Sequence, residues 1–388
     1  MSHSTAKLSQ TDVLNYAHSR LAPHLRLKAD GYSCSSTQLL HLLLGVAASR
    51  DSLQALCADL SNIPCAATFR QRLNQQLDAK QLPAVESAIN TALAPPADLL
   101  LWLRPLEIAI DYHDQPYYGK SEQDKGLWVR GKAKQGTTRV YRVATAYVIL
   151  GGRRFTLAIK FVLAKETHAE VLGFLLKRIQ ALKIKVSRLY LDRGFATVAV
   201  VQFLRRRRLK AIIACPLRGG QGGLKALCVG QKSYVTRYHF GGKKEQVTVK
   251  VALYRAKVKK PKKGRPKMQW LAYLLVGNIQ MKAKAVKRAY RKRFGIESSY
   301  RCARQVRGWT TSQNAAYRFL LIGLSFVLLN IWQELRWQWA RKPGRGRARV
   351  KESHFRLRRL AKFIVGALET LYGKVCHITL LAEDRPSP

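Results

Sequence analysis

The chain has 388 residues, of which 70 are Lys or Arg and 22 are Asp or Glu, a formal net charge of +48. With 47% hydrophobic residues the charge belongs to folded domains rather than to a disordered tail, and such a balance calls for a polyanion, nucleic acid ahead of an anionic membrane. Seven scattered cysteines without a C-x-x-C pair argue against a disulfide framework and a zinc site, and no G-x-x-x-x-G-K-[ST] loop points to nucleotide hydrolysis.

Residues 1–100 are expected to form an all-α domain. Met1–Gln10 lack the apolar stretch of a secretory signal, which predicts a cytoplasmic protein. Asp51–Leu60, the turn Ser61-Asn62-Ile63-Pro64 and Cys65–Gln75 fit a helix-turn-helix, with Arg70 and Arg72 as candidate DNA contacts. After a Pro-containing junction the pattern changes to strands. Residues 101–215 are the expected first part of an α/β core. Leu106–Asp111 is apolar and ends on an acid, and two further strand-like runs, 141–150 and 154–163, are joined by Gly151-Gly152, a hairpin signal. An amphipathic helix over 168–182 leads to the short strand Arg188–Asp192, again ending on an acid, then a helix over 197–209 and a strand over 210–215.

Residues 216–270 begin Gly-rich, alternate as strands and close on a basic run, which predicts a β-rich insertion. Residues 271–335 are the expected second part of the core. They include a helix over 279–305 and a helix over 314–332 whose apolar run, Phe319–Trp332, is short for a membrane span and carries Asn330. Residues 336–388 read as a basic helical tail.

The segment with the most chemistry is Tyr290 to Arg304. On one helix Tyr290, Arg293, Glu297 and Arg304 are offset by 0, 3, 7 and 14 residues and fall within roughly 60° of one another, a stripe roughly 20 Å long. A lone acid in a basic stripe suits a group that holds a metal while its neighbours hold phosphates; the plainer alternative is a solvated basic helix. Asp111, Asp192 and Glu297 are separated by 192 − 111 = 81 and 297 − 192 = 105 residues. Three carboxylates converging from two strands and a helix repel unless a cation joins them. Hard oxygen ligands and a phosphate substrate point to two Mg²⁺ ions, with Mn²⁺ as a substitute. On a strand Asp114 faces away from Asp111, whereas His113 shares its face. Trp309 is a core residue or a base-stacking platform. Lys262–Lys267 resembles a minor-groove AT-hook core, with Lys263 where Arg is usual and Arg265 as the inserted side chain, against the alternative of a solvated basic loop.

The strand-ending Asp111, the segment Leu191-Asp192-Arg193-Gly194-Phe195 and the stripe Tyr290, Arg293, Glu297, Arg304 resemble the DDE transposases of bacterial and archaeal insertion sequences. They are most similar to insertion-sequence family four, with its Y-x2-R-x3-E-x6-K signature, Arg304 standing where Lys is usual. The resemblance implies an RNase H-like catalytic core with a β-rich insertion, preceded by an all-α domain and followed by a basic helical tail. It implies cut-and-paste transposition, with Asp111, Asp192 and Glu297 on the metals and Tyr290, Arg293 and Arg304 on phosphates near the transposon end. The implied partners are double-stranded DNA, as transposon ends and target, and a second copy of the chain in a synaptic complex, in the nucleoid. A metal-dependent nuclease without strand transfer and an inactive DNA-binding relic are the alternatives.

Overall fold

The computed structural model describes residues 6–28, 34–95, 105–119, 125–150, 153–219, 222–242, 245–257, 268–342 and 349–378. The chain forms two compact units, one of residues 1–92 and 302–388, the other of residues 93–301. This division differs from the one expected. The segment 302–335, assigned to the second part of the core, belongs with the N-terminal helices, and so does the last helix of the supposed tail.

The first unit is helical. It contains α1 (Gln10–Leu21), α2 (Ser36–Ser49), α3 (Leu53–Ala58), α4 (Ala66–Gln76), α5 (Leu82–Ala92), α10 (Ala315–Trp339) and α11 (Leu357–Tyr372), with the short strands β10 (Arg341–Lys342) and β11 (Arg349–Val350) paired antiparallel. Ser9 and Ser35 close capping boxes at the starts of α1 and α2, each satisfying amide donors that a bare helix end leaves open. α2 is apolar nearly all round and is buried from Leu39 to Ala48. α10 is long and apolar enough to cross a membrane by length and composition, yet 83% of its apolar window is buried in the protein, packed on α5, α2 and α11. That is the core helix expected from Asn330, which is itself buried.

The second unit is built on one nine-stranded sheet. Its strands are β1 (Leu106–Pro116), β2 (Val129–Lys134), β3 (Thr137–Leu150), β4 (Arg153–Val162), β5 (Val186–Leu191), β6 (Ala211–Cys215), β7 (Tyr234–Gly241), β8 (Gln246–Lys257) and β9 (Met268–Val276). They are ordered β2-β3-β1-β5-β6-β9-β8-β7, with β4 paired to β3. β1, β5 and β6 run parallel, and every other pairing is antiparallel. The parallel strands are linked by α6 (His168–Ala181) and α7 (Val198–Arg206), the crossover helices that parallel pairing requires. Thr167 starts α6 with a capping box closed by Glu170, and Val171, Leu172, Leu175, Leu176 and Ile179 form its buried stripe. The 216–270 stretch is not a separate body. Its β7 and β8 continue the same sheet, because β9 inserts between β6 and β8 and offers each an antiparallel edge.

β1 does not end on Asp111. Its pairing with β3 runs from Ile108↔Val148 to Pro116↔Val140, so the antiparallel neighbour carries the strand five residues further. What stops near Asp111 is the parallel ladder with β5, whose last pair is Ile110↔Leu191.

Leu189 is fully buried in the central strand β5, flanked in register by Ile108 and Ala211. Leu189→Ala is expected to cost about 2–5 kcal/mol, the sum of lost burial and the cavity left behind. The urea midpoint of the sheet unit would show it, and an unchanged midpoint would refute this packing.

Candidate active site

Three carboxylates meet at the end of the parallel ladder. Asp111 is the next residue after Ile110 on β1, and Asp192 the next after Leu191 on β5, so their neighbours Ile110 and Leu191 are paired in register. The carboxyl ends of adjacent parallel strands are where α/β sheets form sites. Past Asp192 the chain winds into one 3-10 turn, Arg193–Phe195, held by the Phe195 amide donating to the Asp192 carbonyl at 3.0 Å. Phe195 is buried and stacks on Tyr112 with ring centroids 4.6 Å apart and planes 8° from parallel. That stack fixes where the loop leaves β5.

The third carboxylate comes from a helical segment that is not one helix. It runs as α8 (Ala283–Tyr290), a 3-10 turn at Arg291–Arg293, and α9 (Phe294–Ala303), followed by another 3-10 turn at Arg304–Val306. Winding three residues at about 120° instead of 100° each advances the phase by roughly 60°, so the stripe expected of an unbroken helix is redirected. Arg293 is turned inward and only 6% exposed. Its guanidinium lies 2.6 Å from the Asp111 carboxylate, 3.1 Å from Glu297 and 3.8 Å from Asp192. The 3-10 turn that follows α9 begins with Arg304, which is exposed and belongs to the helical unit.

Electrostatics explain the bridge. Burial pushes the Asp111 carboxyl up to about 6; Arg293 opposes that rise, and Asp192 and Glu297 add to it. A single planar cation with several donors relieves mutual repulsion among the acids. The Arg293 Nε has no hydrogen-bond partner among the described residues. Glu297 and Asp192 remain open to solvent, with side chains 54% and 35% exposed.

The surrounding residues position this group. Tyr290, expected on phosphate, is buried, and its hydroxyl donates to the Leu191 carbonyl at 3.1 Å, one residue before Asp192. Tyr300, which sequence reasoning missed, is also buried; its hydroxyl donates to the Asp111 carbonyl at 3.2 Å and lies 2.6 Å from the Thr145 hydroxyl. The signal for it was present, since Tyr300 continues the 290, 293, 297 spacing by three residues. Another missed contact is Lys292, whose amine is 2.5 Å from Glu107. His113 shares the Asp111 face and lies against the Tyr300 ring, centroids 5.0 Å apart. Asp114 faces away and is held by Arg142 through two bonds of 2.7 and 2.8 Å.

The remaining candidates lie elsewhere. Arg70 on α4 is exposed and bonds Gln54 at 3.2 Å, while Arg72 is half-buried. The α3–α4 pair does form two short helices around a turn. Trp309 is 60% exposed, with its amide bonded to the Asp51 carbonyl. Lys263 and Arg265 lie outside the described residues.

The transposase DDE domain family matches residues 102–330. The chain belongs to that family. No curated protein sequence matches it. Among solved structures it is similar to a piggyBac transposase synaptic complex with hairpin DNA, determined by cryo-EM, with a TM-score of 0.54 at 9% identity, covering 94% of this chain and 77% of that one. At that identity the likeness speaks to the fold, a mixed α/β arrangement on a central sheet.

As placed, no group of three His, Cys, Asp or Glu side chains among the described residues is drawn close enough to hold a metal ion; the three acids meet through Arg293. Their chemistry nevertheless fits a divalent cation: the donors are all carboxylate oxygens, and they already converge on one positive charge.

Arg293→Ala is expected to destabilise the metal-free, DNA-free chain by about 3–5 kcal/mol at pH 8, since it strands a buried carboxylate. Because the Asp111 pKa is raised in the folded state, its protonation favours folding at low pH and that contribution is lost as pH rises through about 6. The deficit should therefore be smaller at pH 5 than at pH 8, and Mg²⁺ should recover part of it. A thermal midpoint insensitive to the substitution at both pH values would refute the bridge.

Proposed function

We propose that the chain carries out cut-and-paste DNA transposition, hydrolysing phosphodiester bonds at terminal inverted repeats and joining the freed 3′-hydroxyl to target DNA. The carrying observation is the convergence of Asp111, Asp192 and Glu297 on one cation at the end of the β1–β5 ladder. The order β4-β3-β1-β5-β6, with three antiparallel and then two parallel strands, supports an RNase H-like core. The signature at Tyr290, Arg293, Glu297 and Arg304 supports the insertion-sequence family four branch.

In this reading Asp111, Asp192 and Glu297 hold two Mg²⁺ ions. When bound, the ions supply an activated water or 3′-hydroxyl and stabilisation of the leaving oxygen. With the three acids so engaged, the Arg293 fork would be available to a phosphate, for which its parallel donors are suited. Tyr290 and Tyr300 act behind the site: each donates to a backbone carbonyl beside a metal-binding aspartate and fixes that strand end. Joining needs no nucleotide, because one phosphodiester is exchanged for another. A homodimer on duplex DNA is the proposed assembly, since two ends must be held together, and the nucleoid its place of action.

Asp192→Ala should abolish Mg²⁺-dependent cleavage of a labelled transposon end while changing duplex affinity less than about threefold, because the basic surface supplies the binding. Cleavage near the wild-type rate by this variant and by Asp111→Ala and Glu297→Ala would overturn the assignment. Arg293→Ala should reduce end cleavage more than Arg207→Ala, on the exposed end of α7. Cleavage without joined product in a strand-transfer assay would leave a nuclease.

A further inference from the structure

The helical unit carries a basic groove that the chemistry of the three acids does not use. α11 turns Leu357, Leu360, Ala361, Ile364, Ala367 and Leu368 inward against α1 and α2. Its other face carries Arg358, Arg359 and Lys362, all exposed. Between that face, the start of α1 and the end of α2 lies a cavity of about 960 Å³ whose cations are Arg50, Arg358, Lys362 and Lys374. A second cavity of about 540 Å³ continues along α11 and adds Arg356 and Arg359. Gln10, Arg358 and Lys362 line both, so the two form one continuous trough.

The charge of the trough is one-sided. Six cations face a single acid, Glu369, and that acid is already paired with Lys374 at 3.3 Å. Arg358 and Lys362 have no carboxylate partner among the described residues. They are one helical turn apart, about 6 Å along the axis. An ordinary solvated helix face mixes both signs to limit self-repulsion, and here the cations far outweigh the one acid. The Arg50 end is more crowded still. Arg307, half-buried, has Arg50, Arg304 and Arg318 as charged neighbours; burial first, and then those three charges, holds its guanidinium below the ordinary arginine range.

We propose that this trough, floored by α11 and ending at Arg50, seats the sugar-phosphate backbone of duplex DNA at a place separate from the three acids. The inference rests on the reading of the chain as a DNA-acting enzyme. It makes part of the binding energy independent of the metal chemistry, and contacts to the backbone position a duplex without reading its sequence. It also gives Arg304 a neighbourhood, beside Gln305 of the trough wall.

The test uses the full chain and a fluorescent duplex of random sequence lacking any terminal repeat, titrated at several salt concentrations. Arg358→Gln/Lys362→Gln should weaken binding about tenfold or more near physiological salt. It should also flatten the slope of log K against log salt by about 1.8, at roughly 0.9 for each phosphate no longer neutralised. Arg206→Gln/Arg207→Gln removes the same charge from the exposed end of α7 and should change the slope by much less. Glu369→Gln removes the one acid and should tighten binding severalfold, a gain that misfolding cannot produce. Equal effects of the two double variants, or no gain from Glu369→Gln, would overturn the proposal. So would tighter binding of the trough to phosphatidylglycerol vesicles than to duplex. Wild-type slopes for the Asp192→Ala chain are expected, so the trough can stand where cleavage fails. A chain that cleaves yet shows no difference between the double variants keeps its function and loses the trough.

Discussion

The site depends on the balance between one guanidinium and three carboxylates. Asp111 is buried, and burial alone favours its neutral form. Arg293 draws the acids toward one charge, and it does so from a turn of 3-10 helix that breaks what would have been a regular stripe. The break is the cost of turning a charged side chain into the protein. The two tyrosines on either side make the same point with backbone bonds: one anchors the carbonyl before Asp192 and the other the carbonyl of Asp111. Acids, arginine and tyrosines therefore form one positioned group on three elements that are remote in sequence.

Much of this was legible beforehand. The strand, helix, strand, helix, strand run from β4 to β6 follows from hydrophobic period, and the three acids follow from their place at apolar run ends and within a basic stripe. What the pattern could not provide is which neighbour each strand takes. β9 reads as an ordinary apolar strand, and only pairing energetics place it between β6 and β8, which merges the supposed insertion into the main sheet. β2, with Val129 and Ala133 among Arg130, Gly131, Lys132 and Lys134, has too little apolar character to be read as a strand, and β3 supplies its pairing. The extension of β1 past Asp111 is likewise invisible locally, because Tyr112–Pro116 is held by β3.

The late helices form where they are expected, and they group with the N-terminal helices for a related reason. Composition marks residues 336–388 as a basic tail, and the cations are there. The apolar stripe of α11 is equally present, and it is buried against α1 and α2. A charged segment can thus be a structural helix whose cations are its outer surface. The same applies to Arg293, whose residue type suggested an outward phosphate contact and whose packing made it the centre of the carboxylate group.

The sheet unit is contained within the chain between the two halves of the helical unit, and the three acids it carries lie 81 and 105 residues apart. Domains emerge from the ribosome N-terminal first, and contacts between remote residues must wait for the later partner. The aspartates are therefore made long before Glu297 exists, and α1, α2 and α5 wait longer still for α10 and α11. A nascent chain stalled anywhere before the last helix holds either an incomplete set of acids or an unfinished helical unit. Order of synthesis thus makes the meeting of the three acids one of the last contacts the sheet unit can form.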